Sequence, residues 1–220
     1  MDTRTVRQTH VTLPQFDDDL TEVASLDEDD RLVEFTYGGA RLRELSLSGI
    51  NLMGGRITDV STRRAQLDNL HLNSVELSGC DLSGLHWSDS KLSRVVFTDC
   101  KLLGAALDGI VLDDVIFDLC KLDYATLTHV PAAGPVIFSS CSLRETAFTA
   151  PDLSGAAFDG CEMHATEFNG GSYRDCDLRG NDLRSIRGVA SLKKVIVSQP
   201  QLQDLAQALA AELEVTFGED

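Results

Sequence analysis

A large apolar residue returns every five positions through most of this chain, and few folds tolerate that period. From Cys80 the fives read CDLSG, LHWSD, SKLSR, VVFTD, CKLLG, AALDG, IVLDD, VIFDL and CKL, with Leu82, Trp87, Leu92, Phe97, Leu102, Leu107, Leu112, Phe117 and Leu122 at the third place. Two places earlier stands a small or medium, mostly apolar residue, as in Cys80, Val95, Cys100, Ala105, Ile110, Val115 and Cys120. The other three places are mainly polar. Side chains repeat every ~3.6 residues in a helix and every ~2 in a strand, so either would drift off a five-residue pattern within a few blocks. A chain that turns a corner at every block keeps the same two places inward, and its stacked turns bury one continuous core.

Four blocks make one turn. Cysteines fall at 80, 100, 120, 141 and 161, in steps of 20, 20, 21 and 20, and the odd step contains an interruption at Pro131-Ala-Ala-Gly-Pro135. The third-place residues begin with Leu42, Leu47, Leu52, Ile57, Thr62, Leu67, Leu72 and Leu77 and run on to Leu127. They resume one residue late at Phe138, Leu143, Phe148, Leu153, Phe158, Met163, Phe168, Tyr173, Leu178 and Leu183. Counting by turns puts Phe97, Phe117, Phe138 and Phe158 on one side, and Leu47, Leu67, Trp87, Leu107, Leu127, Phe148 and Phe168 on another. Thr62 is a polar residue at an inward place, so its hydroxyl is expected to bond a backbone carbonyl.

The blocks CDLSG, PDLSG, CDLRG and NDLRS come close to the A(D/N)LXX pattern of the pentapeptide-repeat family, which the chain resembles from about residue 40 to 188. The resemblance implies an all-β solenoid, a right-handed quadrilateral parallel β-helix with four pentapeptides per coil. The chain then divides into an acidic N-terminal tail and cap over 1–37, the β-helix over 38–188, and a strand-helix segment over 189–220.

Residues 1–37 carry ten acidic against three basic side chains, including Asp17-Asp18-Asp19 and Asp27-Glu28-Asp29-Asp30. The first dozen residues are expected to be disordered, and Leu32–Tyr37 to be a strand covering the open first coil. Beyond Gly188 a strand is expected at Leu192–Val197 and a short α-helix from Pro200, whose ring presets a helical φ. Leu202, Leu205, Ala206, Leu209, Ala210 and Leu213 fall on one helical stripe. Leu202, Leu205, Leu209 and Leu213 are expected to form a homodimer interface, or otherwise to cover their own coil, and Glu214–Phe217 to be a last strand.

A formal charge of minus 16 disfavours nucleic acid and anionic lipid and favours a basic partner. No apolar run approaches a membrane span and no leader pattern opens the sequence, so a soluble cytoplasmic protein is expected. The six cysteines sit at inward places, as reduced core thiols would. Cys161 and His164 are close in sequence, but the repeat turns one inward and the other outward. His10, His71, His86, His129 and His164 are too scattered for a metal site. Asp113, Asp114, Asp118 and Asp123 would suit a carbohydrate-cleaving enzyme only if long loops built a cleft, and there are almost none. No enzyme activity, metal or cofactor is expected.

Charge is unevenly spread. Gly38 to Thr98 has six acids and seven bases; Asp99 to Glu167 has eleven and three, a net of minus 8. The latter stretch makes about 3.5 coils, roughly 17 Å at ~4.8 Å per coil, a length over which duplex DNA carries about ten charges. In its acidity, near-continuous coil and terminal helix the chain resembles MfpA-type and Qnr-type pentapeptide-repeat proteins, and its lack of large loops brings it nearer the MfpA type. That resemblance implies a DNA mimic, dimeric through its C-terminus, which binds DNA gyrase or another type II topoisomerase and confers resistance to quinolones or topoisomerase toxins. Asp99, Asp108, Asp113, Asp114, Asp118, Asp123, Asp159 and Glu162 are then the residues expected to meet the partner. The alternative is a non-enzymatic scaffold for another protein.

Overall fold

The computed structural model describes residues 2–17, 19–216 and 218. Its body is a parallel β-solenoid of about seven turns, closed by one short C-terminal helix. Each coil has four sides. One bent strand carries the first two: Arg31–Gly38, Asn51–Thr58, His71–Ser78, Lys91–Thr98 and Val111–Asp118, continued by Val136–Ser139 and Ala157–Asp159. With Thr21–Glu22 at the edge they form an eight-stranded parallel sheet. Leu72 pairs with Leu92 and Leu92 with Leu112, while Leu77, Phe97 and Phe117 pair likewise. Pairing skips Ser74, Arg94 and Asp114, whose φ values of 55°, 51° and 55° turn the strand from the first side to the second. The third side is held by a short parallel pair, Arg41–Leu42 with Ser61–Thr62, and then by isolated bridges, and the fourth by seven short strands from Leu45–Ser48 to Glu167–Asn169.

The third-place residues point inward as the pattern requires. Phe97, Phe117, Phe138 and Phe158 are fully buried and stack at 4.8, 4.9 and 4.7 Å between ring centroids, with interplanar angles of 7°, 6° and 5°. Those distances equal the strand spacing, so the rings take their separation from the backbone ladder. The Thr62 hydroxyl donates to the Arg64 carbonyl at 2.7 Å, supplying the expected partner. At the interruption the Ala133 and Gly134 N–H groups both turn onto Leu112 O, at 2.7 and 3.3 Å, which loops the extra residue outward and restores register by Val136. A Cβ on Gly134 would lie 2.2 Å from Asp113 Oδ1, so a larger residue there would push the Asp113 carboxylate aside.

Both ends depart from expectation. Residues near the N-terminus are ordered: β1 (Thr3–Val6) and β2 (Thr9–Thr12) pair antiparallel and lie on the outside of the second side. The cause is an apolar column at outward places, Val96, Ile116, Ile137 and Ala157, against which Val6, Val11 and Leu13 pack. Leu32–Tyr37 is part of the first full strand of the solenoid, paired with Asn51–Thr58, rather than a separate cover. The open coil is instead covered by the preceding segment, where Leu26 is buried and Val23 packs on the core.

At the other end Leu192–Val197 forms no strand. Positive φ at Lys194 turns the chain, leaving single bonds such as Ile196 N–H to Cys176 O (2.8 Å) and Leu178 N–H to Ile196 O (2.9 Å). Pro200 is the N-cap of α1 (Gln201–Glu212), at φ −61°. The helix turns Gln201, Leu205 and Ala208 toward the rod, so the expected stripe docks only through Leu205. Leu202, Leu209 and Leu213 remain exposed. Glu214–Thr216 are not a strand, and Phe217 and Asp18 lie outside the described residues.

Candidate functional site

The chemistry available on the outer surface is set by which acids remain accessible. Asp99 and Asp108 are exposed, at different places around one coil, and Asp108 approaches His129 Nδ1 at 3.5 Å. Asp113 accepts from Ser93 Oγ at 3.0 Å across one coil. Asp123, on the third side, accepts the Arg144 N–H at 3.0 Å and the Ser142 hydroxyl. Glu162 pairs with Arg144, which holds the carboxyl below the usual glutamate range.

The other three expected residues lie in the footprint of the N-terminal hairpin. Arg4 donates to Asp118 Oδ1 at 2.8 Å and to Ser139 Oγ at 2.9 Å, and this guanidinium contact holds the Asp118 carboxyl below its ordinary value. Arg7 donates to Asp159 Oδ1 at 2.7 Å and to Arg179 O at 2.6 Å, and stands 3.6 Å from Asp177. The Thr12 N–H donates to Asp114 Oδ1 at 2.8 Å. The structure thus separates the eight acids into three bonded by the hairpin and five outside its contacts. The signal for this in the sequence is that valine, isoleucine, isoleucine and alanine directly before Phe97, Phe117, Phe138 and Phe158 break the rule of polar outward places.

Basic side chains are concentrated elsewhere. Arg41, Arg43, Arg63 and Arg64 are exposed on the third side of the N-terminal coils, away from the acidic belt. Many of the remaining cations pair along the rod with an acid one coil away, as in Arg56 to Glu76 at 3.0 Å and Arg187 to Glu167 at 2.9 Å.

Reactive groups do not converge. Cys80, Cys100, Cys120, Cys141 and Cys161 form a buried column of free thiols, each within 3.3–3.6 Å of a backbone carbonyl from the coil before. Asn181 ends the column, accepting the Cys161 N–H at 2.7 Å and donating to Phe158 O at 2.9 Å and Leu178 O at 2.8 Å. Cys176 is buried in the core, which pushes its thiol up. His164 is exposed and faces Ser185 Oγ at 3.3 Å, whereas the Cys161 thiol points at Phe138 O. Asp114 and Asp118 are under the hairpin and Asp123 is around a corner, so the four aspartates weighed as an acid-base cluster do not share a cleft. Among the described residues no three histidine, cysteine or acidic side chains are placed to hold a metal ion.

The pentapeptide-repeat model matches eight copies, within residues 76–114 and 141–180. Among solved structures the chain is similar to QnrB1, a plasmid-mediated fluoroquinolone resistance protein. The full-length form is 18% identical over 86% of this chain and 94% of that one, with a TM-score of 0.38. A trypsin-treated variant of it is 20% identical over 86% and 93%, at 0.41. HetL, a pentapeptide-repeat protein involved in heterocyst differentiation regulation from the cyanobacterium Nostoc sp. strain PCC 7120, is 21% identical over 75% and 86%, at 0.24. No curated protein matches the sequence. The matched repeats, the four-sided coil and its twenty-residue register together show the pentapeptide-repeat fold.

Proposed function

We infer that the chain is a non-enzymatic binding protein whose acidic rod occupies the basic DNA-binding groove of DNA gyrase or another type II topoisomerase, giving resistance to quinolones or topoisomerase toxins. The observation that carries this reading is the smooth acidic stretch of solenoid from Asp99 to Glu167. Its stacked Phe97, Phe117, Phe138 and Phe158 rings are spaced at 4.7–4.9 Å and the one irregularity within its coils is a single-residue bulge, so outside the side that carries the hairpin the coils present regular faces without long loops. Counting the hairpin's Asp2, Arg4 and Arg7 with it changes the net charge from minus 8 to minus 7. Spread over roughly 17 Å, that is one charge per about 2.4 Å, near the one per ~1.7 Å of duplex DNA. The choice of topoisomerase comes from the resemblance to gyrase-binding family members. Homodimerisation through the exposed Leu202, Leu209 and Leu213 of α1 would double a rod of roughly 35 Å, long enough to lie along such a groove.

Purified protein added to a DNA gyrase supercoiling assay, with and without a quinolone, tests the reading. The parent should inhibit supercoiling, with an effect that falls steeply as salt rises. The variant Asp99→Asn, Asp108→Asn, Asp123→Asn and Glu145→Gln should stay folded and inhibit about tenfold less, since these four lie outside the hairpin's contacts and none enters the core. A parent without effect on gyrase at low salt, or a folded variant as potent as the parent, overturns it in favour of a scaffold for another partner.

A further inference from the structure

The N-terminal hairpin is bound like a ligand. A two-stranded hairpin is at best marginally stable by itself in water, so β1 and β2 depend on the surface beneath them. That surface is specific. Its floor is the column Ile116, Ile137 and Ala157, all fully buried under the hairpin, with Val96 at one end and Asp177 at the other. Its walls are acids and carbonyls that receive Arg4, Arg7, Thr9 and Thr12: Asp118 and Asp159 on one side, Asp114 and Gly155 O on the other.

The match is also one of length. Thr12 meets Asp114 and Thr9 meets Gly155, two coils further on, and Arg4 and Arg7 climb the opposite wall in the same direction. Three residues of extended chain span ~10 Å and two coils ~9.6 Å, so the hairpin lies along the rod axis in step with the coils. Nothing in the repeat demands this. The same column holds Thr36, Arg56 and Glu76 in earlier coils, where outward places are polar as expected.

We propose that this acidic, apolar-floored groove is a docking surface for an extended basic protein segment, two arginines about 10 Å apart with β-branched residues between the walls, and that the N-terminal hairpin is its displaceable resident occupant. The hairpin is a strap. Closed, it buries Ile116 and Ile137 and occupies Asp114, Asp118 and Asp159. Displaced, it adds those three carboxylates to the open acidic face while staying tethered through residues 13–20. The tether keeps the effective concentration of the strap high, so a competing segment succeeds only if it binds well or arrives on a partner already held by the rest of the rod. The chemistry of the groove and its resident stands on the contacts above; that the displacing segment belongs to a topoisomerase rests on the function inferred above.

The experiment uses the full chain with Arg4→Glu and Arg7→Glu, which turns both ion pairs into repulsions. Hydrogen exchange of peptides covering residues 2–13 should quicken at least about tenfold, while those covering 97–127 keep their protection, showing the solenoid intact. A labelled synthetic peptide of residues 2–13 should bind this variant at least about tenfold more tightly than it binds the parent, whose groove is filled. Arg4→Glu combined with Asp118→Arg should restore part of the lost protection, which a general loss of folding would not allow. Equal peptide binding to parent and variant, no peptide binding to the variant, or unchanged exchange of residues 2–13 overturns the proposal. If the peptide behaves as expected but the opened variant inhibits gyrase no better than the parent, the strap stands and its displacement by a topoisomerase segment falls, while the topoisomerase reading itself is decided by the parent and the amide variant above.

Discussion

Removing the ring of Phe117 tests the stacking that organises the rod. The side chain is fully buried between Phe97 at 4.8 Å and Phe138 at 4.9 Å, nearly parallel to both. Truncation to alanine withdraws roughly 150 Å² of apolar surface, about 4 kcal/mol at ~25 cal/mol per Å², and two stacked contacts worth about 0.5–1.5 kcal/mol each. Compactness of the unfolded chain lowers the first figure. Relaxation lowers it little, because Phe117 is tied by backbone pairing to Phe97 on one side and Phe138 on the other, so the walls cannot close. Phe117→Ala should therefore cost about 4–5 kcal/mol, the upper part of the usual range for such truncations. Phe117→Leu, which keeps most of the volume but loses both stacks, should cost about 1–3 kcal/mol. Thr98→Ala, one place beyond Phe97 and outward, should stay within about 0.5 kcal/mol. Urea unfolding followed by far-UV circular dichroism measures all three, with the m-value as the check that the same surface is exposed. Equal losses for Phe117→Ala and Thr98→Ala would show that the inward register is wrong.

Two further outcomes follow from the ends of the chain. Leu209→Ser with Leu213→Ser should convert a dimer to a monomer by light scattering with little change in melting temperature, whereas Leu205→Ser, packed on the last coil, should lower the melting temperature; a parent that is monomeric, or a double variant that remains dimeric, refutes the helix interface. The strap should also loosen in acid. Asp118 faces Arg4 and Ser139, with Asp159 near Arg4, and its carboxyl is depressed chiefly by the Arg4 hydrogen bond. A depressed value means that its contribution is complete above the ordinary aspartate range near ~4 and lost as pH falls through the folded-state value. The Val11 amide signal should accordingly leave its docked position in acid while that of Phe117 persists; release on raising pH from about 5 to 8 would contradict this.

The five-residue period made the inward register legible because it is dictated by the cross-section of the coil and repeats at every turn. The stacked phenylalanines and the cysteine column followed by counting. What escaped the sequence was tertiary pairing between distant segments. Thr3–Val6 and Thr9–Thr12 alternate as strands do, but they are short, carry few apolar residues, and fold against a surface more than a hundred residues away. Likewise the helical stripe was correct as periodicity, yet docking is decided by a polar residue. Gln201 donates to Leu178 O at 2.8 Å and Asn181 O at 2.9 Å, and accepts the Ser198 N–H and hydroxyl, so all its hydrogen-bonding capacity is used at the end of the core and the leucines are turned aside.

Whether the acidity belongs to the fold or to a partner can be argued from one corner of the coil. Asp59, Gly79, Asp99, Leu119, Ser140 and Gly160 occupy the same corner in successive coils, with φ of 52°, 63°, 50°, 55°, 52° and 62°. Left-handed backbone favours glycine, asparagine and aspartate, which explains a high aspartate content without any partner. The same corner nevertheless accepts serine and even leucine, and the corner between the fourth side and the first side of the next coil uses Asn69 and Gly109 beside Asp89. The backbone therefore asks for tolerance of positive φ and is indifferent to charge. Asparagine meets that demand as well as aspartate, so changing the exposed acids to amides removes the field of the rod while leaving its corners satisfied. A loss of binding in such a variant would be electrostatic in origin, and retained binding would mean that the acids serve only the fold and its solvation, against the DNA-mimic reading.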